Sequence, residues 1–294
     1  MGIYGYFTDK DPLWDPPYTD LACERRRTDT SICGVEYKKI SAPCGYWEMI
    51  KISSPEGALS IGRPEGVYDT LTLDRFDLMD IASIEEASDE VASELCRLCE
   101  IDDVLPERVL VVGLGNPELT PDSLGSLSAK RVKATKHIKD IDKRLFTVLE
   151  CSEISVVTPG VRAFSGMDAH TAIHGICNAI SPSLIITVDS LAARSSERLG
   201  STIQICNTGV SPGSGIGNCS IPLTRETLGA PVISIGVPTI IDSRIFSSDC
   251  TNQSGEKIGT SRAMFVSPKE ICEIVDVGAK IISDGINQAF GLYS

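Results

Sequence analysis

The chain has 294 residues, of which 42% are hydrophobic and 23% charged, and its formal net charge is −13. Size and composition fit one globular α/β domain, with or without a small appendage. The acidity argues against binding to a nucleic-acid backbone and suits partners that carry basic patches.

The opening stretch, MGIYGYFTDKDPLWDPPYTD, has no basic start and no long apolar run, so no signal peptide is expected. Apolar runs such as residues 109–112 are too short to cross a bilayer. The expectation is a cytoplasmic protein. Residues 1–20, rich in Asp, Pro and aromatics, read as an extended arm, and residues 21–294 as a single domain. Short strand-like runs at 34–40, 47–52 and 67–73, separated by Gly and Pro, predict a small β-rich layer around 34–75. Residues 81–100 read as an amphipathic helix. It carries Cys96 and Cys99, which form the one CxxC in a chain with eleven cysteines. An odd count and the lack of a second pair favour buried or half-buried thiols over a disulfide framework or a zinc ribbon.

After Arg108 the pattern changes. Residues 109–112 form a continuous apolar run, as in a strand buried on both faces, and run into Gly113-Leu114-Gly115-Asn116. Thr120-Pro121-Asp122 then offers a cap, a first-turn proline and a first-turn acid, which predicts a helix from about 121 to 134. Strands follow at 154–157, 184–188 and 202–206, and another at 232–237 is expected to stop at Pro238. Helices are expected over 168–180 and after Ser267-Pro268. The alternation predicts an α/β three-layer sandwich around a mostly parallel or mixed central sheet.

Two carboxylates stand out. Asp122 follows one buried strand, and Asp189 ends another. Sites in open α/β sheets gather at the carboxyl ends of strands. Two close carboxylates cannot both ionise cheaply, so such a pair offers an acid and a base together. The plainer reading of Asp122 is an acid serving a helix dipole. The Asp-Thr-Gly and Asp-Ser-Gly repeats of bilobal aspartic proteases are absent, since Leu124 and Leu191 follow the two Asp-Ser pairs. Neither glycine-rich string has dinucleotide or phosphate-loop spacing. The stretch from Gly213 through Ser214 and Gly215 reads as a tight turn whose backbone amides can approach a ligand. His170 and His174 share a helix face near Asp168. Thr171 stands where a zinc peptidase needs Glu, and no third ligand is close in sequence, so no metal is expected. Gly209-Val210-Ser211-Pro212-Gly213 cannot form a nucleophile elbow, because Pro212 lacks the N–H that stabilises the oxyanion. Arg194 is either a surface charge or a carboxylate partner that steadies the site.

A series of strings resembles the germination protease family. It begins with Thr19-Asp20-Leu21-Ala22, Val111-Val112-Gly113-Leu114-Gly115-Asn116 and Thr120-Pro121-Asp122-Ser123-Leu124-Gly125. It continues through Thr135-Lys136-His137, Pro159-Gly160-Val161, Val188-Asp189-Ser190-Leu191-Ala192-Ala193-Arg194-Ser195 and Thr202-Ile203-Gln204-Ile205. Pro212-Gly213-Ser214-Gly215-Ile216-Gly217-Asn218, Thr224-Arg225-Glu226-Thr227-Leu228-Gly229, Ile235-Gly236-Val237-Pro238-Thr239 and Val266-Ser267-Pro268 complete it, in order over nearly the whole chain. The resemblance implies an atypical aspartic endopeptidase without a cofactor, acting on small acid-soluble spore proteins during germination. It implies a fold similar to that of hydrogenase maturation endopeptidases. It also implies a homotetramer, a zymogen, and a place in the forespore or spore core. The family's proposed catalytic aspartates fall on Asp122 and Asp189, with Asn116, Arg194, Gly213, Ser214 and Gly215 supporting the site or touching substrate. Relatives cut after an acid in a Thr-Glu-(Ile/Phe)-Ala pattern, so Thr19-Asp20-Leu21-Ala22 implies self-cleavage between Asp20 and Leu21. Departures from the family lie at Arg162-Ala163-Phe164, at Asp168-Ala169-His170 and in a trimmed stretch over 241–262. The rival expectations are a metal-dependent maturation-type endopeptidase and a catalytically silent binder of spore proteins.

Overall fold

The computed structural model describes residues 18–26, 32–213, 220–243 and 264–292. Ser214, Gly215 and most of the trimmed stretch lie outside them. In chain order the helices are α1 (Ala22–Arg25), α2 (Pro55–Ile61), α3 (Ile81–Ile101), α4 (Leu124–Arg131), α5 (Lys136–Ile141), α6 (Lys143–Leu149), α7 (Arg162–Ser165), α8 (Ala169–Ile180), α9 (Arg225–Leu228) and α10 (Ile271–Phe290). The strands are β1 (Val35–Ala42), β2 (Gly45–Ile52), β3 (Gly66–Leu73), β4 (Arg108–Gly113), β5 (Glu153–Val157), β6 (Leu184–Ala193), β7 (Thr202–Cys206), β8 (Val232–Asp242) and β9 (Phe265–Val266).

They form one nine-stranded sheet in the order β1-β2-β3-β7-β8-β6-β4-β5, with β9 on β8. The half from β8 to β5 is parallel, and the half from β1 to β7 is antiparallel. The β-rich N-terminal run therefore extends the central sheet through the β3–β7 pairing.

Burial on both faces explains the unbroken apolar run of β4. Val109 and Val111 pack with α3, α4 and α10 on one side. Leu110 and Val112 pack against Ile173 and Cys177 of α8 on the other. Alternate residues of a strand point to opposite faces, so a strand sandwiched between two helical layers carries no polar side.

Three boundaries differ from the sequence expectation. Strand β6 does not end at Asp189 but runs from Leu184 to Ala193, so Asp189 lies within it. The helix expected from 121 to 134 begins as a 3-10 turn over Thr120–Asp122 and then runs as α4 to Arg131. Strand β8 does not stop at Pro238. Leu191 of β6 faces Pro238, but Ala192 faces Ile240, so Thr239 is an extra residue in a bulge. A bulge tolerates the missing N–H of proline.

All cysteines among the described residues are free. Cys96 is exposed and Cys99 buried on α3, and burial pushes the Cys99 thiol up to about 12. At neutral pH it stays a thiol, not the reactive thiolate.

One buried acid is unconnected with the cleft. Asp69 on β3 is fully buried beside Glu94 and Arg97 of α3, and Arg97 bonds both carboxylates. Burial first, then Glu94, push Asp69 up to about 9 against the pull of Arg97. Asp69 thus takes up a proton on folding. The stability of the wild type should fall, relative to Asp69→Asn, as pH rises from about 4 to about 9. Urea melts of the two proteins across that range should diverge by at least about 1 kcal/mol at neutral pH. Parallel curves would mean that Asp69 is not the proton store.

Candidate active site

The sheet reverses its direction of growth at β4. The chain leaves β4 to form β5 on one side, then returns to form β6 on the other. Ligand sites of open α/β sheets lie outside the carboxyl ends of strands at such a switch point. Both aspartates named above stand there. Gly113, the last residue of β4, is the register partner of Val188, and Asp189 is the next residue of β6.

Asp122 reaches this point through close backbone packing. The Leu114 N–H donates to the Val188 carbonyl at 2.8 Å, tying the β4 exit to β6. A Cβ on Gly125 would lie 2.3 Å from the Val188 oxygen, and one on Gly113 would lie 2.2 Å from the Gly125 oxygen. Only glycines allow the first turn of α4 to rest directly on the two strand ends. Gly115, at φ +89°, turns the loop so that the Asn116 N–H donates to Asp122 Oδ2 at 2.8 Å. The Asn116 side chain accepts from the Glu118 N–H, so it is the Asn116 backbone that holds the aspartate.

Asp189 is 7% exposed, and its Oδ1 accepts the Ser190 N–H at 2.9 Å. Burial holds its carboxyl well above the ordinary range, and the charges of Asp122 and then Asp20 push it further. Burial also raises Asp122, opposed by the Asn116 N–H. Two carboxyls raised together at one cleft favour a state in which a proton is kept between them. The cleft has a volume of about 560 Å³ and is also walled by Gly213, Ser190 and Thr239. The Ser190 and Thr239 hydroxyls are buried there with no protein partner among the described residues.

The residues Thr19 to Ala22 are packed into this region. The Asp20 N–H donates to the Ala192 carbonyl at 2.8 Å, and the Ala192 N–H donates to Asp20 Oδ2 at 2.9 Å. Leu21 is fully buried among Leu191, Leu199 and Ile241. Asp20 lines the same cleft as Asp122 and Asp189. Arg194 lies near this segment: its N–H donates to the Glu24 carboxylate at 2.6 Å and Nη1 reaches the Glu24 carbonyl at 3.5 Å. The Ser195 N–H holds the other Glu24 oxygen at 2.7 Å.

His170 and His174 stack at 5.7 Å, and His170 Nε2 lies 3.1 Å from the Thr227 carbonyl. Asp168 caps α8 through the His170 N–H and pairs with Arg162 at 2.5 Å. Among the described residues no group of three or more His, Cys, Asp or Glu is arranged to hold a metal ion. No described helix is long and apolar enough to cross a membrane.

Sequence reading did not single out Arg63 or Gln204, both of which touch the Thr19–Ala22 segment. Gln204 left one signal: it is the one amide in the buried strand Thr-Ile-Gln-Ile-Cys.

Fold and site together define an α/β protein with a carboxylate-walled cleft at the switch point of its sheet. Residues 19–262 match the germination protease family. The chain is 34% identical to a germination protease of Clostridium acetobutylicum over 92% of this chain and 94% of the relative. It is 36% identical to that of Caldanaerobacter subterraneus over 79% and 71%, and 32% identical to that of Clostridium perfringens over 92% and 94%. The chain belongs to the germination protease family and is a peptidase. A [NiFe] hydrogenase maturation protease, HycI from Thermococcus kodakarensis KOD1, overlays 64% of this chain and 99% of its own at 17% identity and a TM-score of 0.32.

Proposed function

We propose that the chain is an atypical aspartic endopeptidase that cuts small acid-soluble spore proteins in the spore core, works as a homotetramer, and is made as a zymogen that cuts itself between Asp20 and Leu21. The observation that carries this reading is that Asp122, in the turn after β4, and Asp189, on the neighbouring strand β6, line one cleft that also holds Asp20. In this reading Asp189, which burial and two neighbouring acids push up, is assigned the proton, and Asp122, whose rise with burial is opposed by the Asn116 N–H, is assigned the part of the base. Asp122 takes a proton from water as the water oxygen bonds to the peptide carbonyl carbon. Asp189 hydrogen-bonds the oxygen that gains charge. On collapse the C–N bond breaks, the leaving nitrogen takes a proton from the pair, and a new carboxyl and amine are released. The pair ends with the single proton it began with.

The test is a time course of the purified full chain, alone and with a small acid-soluble spore protein, followed by intact mass. A cut after Asp20 and cuts after acids in the added protein, unaffected by chelator, are expected. The rate should fall as pH rises through the value at which the shared proton is lost. Loss of cutting with chelator would turn the reading to metal-assisted hydrolysis, and no cutting at any pH would leave a binding protein.

A further inference from the structure

The contacts around Asp20 form a built seat. Arg63 Nη2 donates to the Thr19 carbonyl at 3.1 Å and lies 3.4 Å from Asp20 Oδ1. The Ala192 N–H holds Oδ2. The carboxylate of Asp20 is therefore met on Oδ1 by the Tyr18 hydroxyl, which donates at 2.7 Å, and by the Arg63 guanidinium, and on Oδ2 by a main-chain donor. This arrangement selects for negative charge.

Gln204 does something different. Its Nε2 donates to the Asp20 carbonyl oxygen at 3.2 Å, and its Oε1 accepts the Ala22 N–H at 2.8 Å. One planar amide thus brackets Leu21, the residue after the bond, and holds the carbonyl oxygen of the Asp20–Leu21 peptide with its donor end. A donor on the carbonyl oxygen draws charge from the carbon that a nucleophile would attack. Gln204 stands in sheet register with Gly236, which is itself the partner of Asp189. The bracket is thus built on the same transverse row of the sheet as the buried aspartate.

We propose that this seat is the enzyme's acid-reading subsite: Arg63 with the Ala192 N–H receives the acidic side chain before the cut, and Gln204 aligns the peptide that follows. The inference rests on the reading that Asp20–Leu21 is cut by this site. The Thr19–Ala22 segment then occupies the seat first, and acidic segments of other chains occupy it once the piece ending at Asp20 has been cut free and Leu21 and Ala22 have withdrawn from Gln204.

The test uses self-cleavage of the full chain, timed by mass, in Asp20→Asn, Arg63→Gln and the double variant. A charge-assisted hydrogen bond of about 2 kcal/mol corresponds to about thirtyfold in rate. Each single change should slow the cut by about that factor, and the double variant should be no slower than the slower single. Arg63→Lys, which keeps the charge, should lie within about threefold of wild type. Gln204→Met should slow the cut about 100-fold at an unchanged melting temperature. Effects of Asp20→Asn and Arg63→Gln that multiply, Arg63→Lys as slow as Arg63→Gln, or Gln204→Met as fast as wild type would each overturn the subsite while leaving the protease reading standing. A wild-type chain that does not cut at Asp20–Leu21 would remove the self-processing reading and the subsite with it.

Discussion

Asp189→Asn should abolish cleavage and, at neutral pH, should raise the melting temperature. The two effects have one cause. Asparagine keeps the shape and can still accept the Ser190 N–H, but it cannot hold and return a proton. Loss of one member of a paired acid–base site costs on the order of a thousandfold or more in rate. The stabilisation follows from burial. The folded state holds the Asp189 carboxyl well above its ordinary value, so folding must protonate it or bury its charge. That penalty is absent below about pH 4, where the unfolded chain is also protonated, and it grows as pH rises toward the folded value. Asparagine has no such penalty. A gain of about 1–2 kcal/mol at neutral pH is expected, with a shift of a few degrees in melting temperature that shrinks toward zero in acid. Calorimetry at two pH values measures it. A variant that melts lower than wild type at neutral pH would show that Asp189 contributes to stability instead of straining the fold.

Gly125→Ala should cost about 3 kcal/mol and most of the activity. The new methyl would lie 2.3 Å from the Val188 oxygen and 2.5 Å from both the N and O of Leu114. All three are main-chain atoms of strand ends, which no rotamer change can move aside. Overpacking against backbone forces α4 outward. Asp122 is in the turn leading into α4, so it would be carried away from Asp189. A displacement near 1 Å at reacting groups costs about 100-fold. Gly175 in the exposed face of α8 is the matched control, because a Cβ there meets nothing within 4 Å. Gly175→Ala should stabilise by about 0.5–1 kcal/mol and leave cleavage unchanged. Chemical denaturation and a cleavage assay on both variants test the contrast. Equal behaviour would mean that the strand-end packing does not position Asp122.

These outcomes bear on how much of the molecule could be read without coordinates. Strands β4, β6 and β8 were legible because burial on both faces writes a mostly apolar run, broken in β6 and β8 only by Thr187, Ser234 and Gly236 before Pro238 and Asp189. Helix α3 was legible from its amphipathic pattern; the caps of α3 and α8, where Asp80 and Asp168 accept first-turn N–H groups, are seen in the structure. The meeting of Asp122 and Asp189 needed only that β4 and β6 be neighbours, which they are. The pairing of β3 with β7 was not legible, because Tyr68 and Cys206 carry no local mark of each other. The continuation of β8 through Pro238 was hidden because proline usually ends a strand, and only the partner strand reveals the bulge. The seat of Asp20 was hidden for the same reason. Arg63, Ala192 and Gln204 come from three separate stretches of chain, and only the folded sheet brings them together.

That separation along the chain has a consequence for biosynthesis. The segment from Thr19 to Glu24 leaves the ribosome early, yet its partners come late. Asp20 and Ala192 are 172 positions apart, Glu24 and Ser195 are 171, and Ala22 and Gln204 are 182. At bacterial elongation speeds of up to about 20 residues per second, the segment waits roughly ten seconds or more before its seat exists. Asp122 and Asp189 are both synthesised before Gln204, so the two acids emerge before the last piece of the bracket is made. The order of translation thus completes the two cleft acids before the last residue that holds the Asp20 segment.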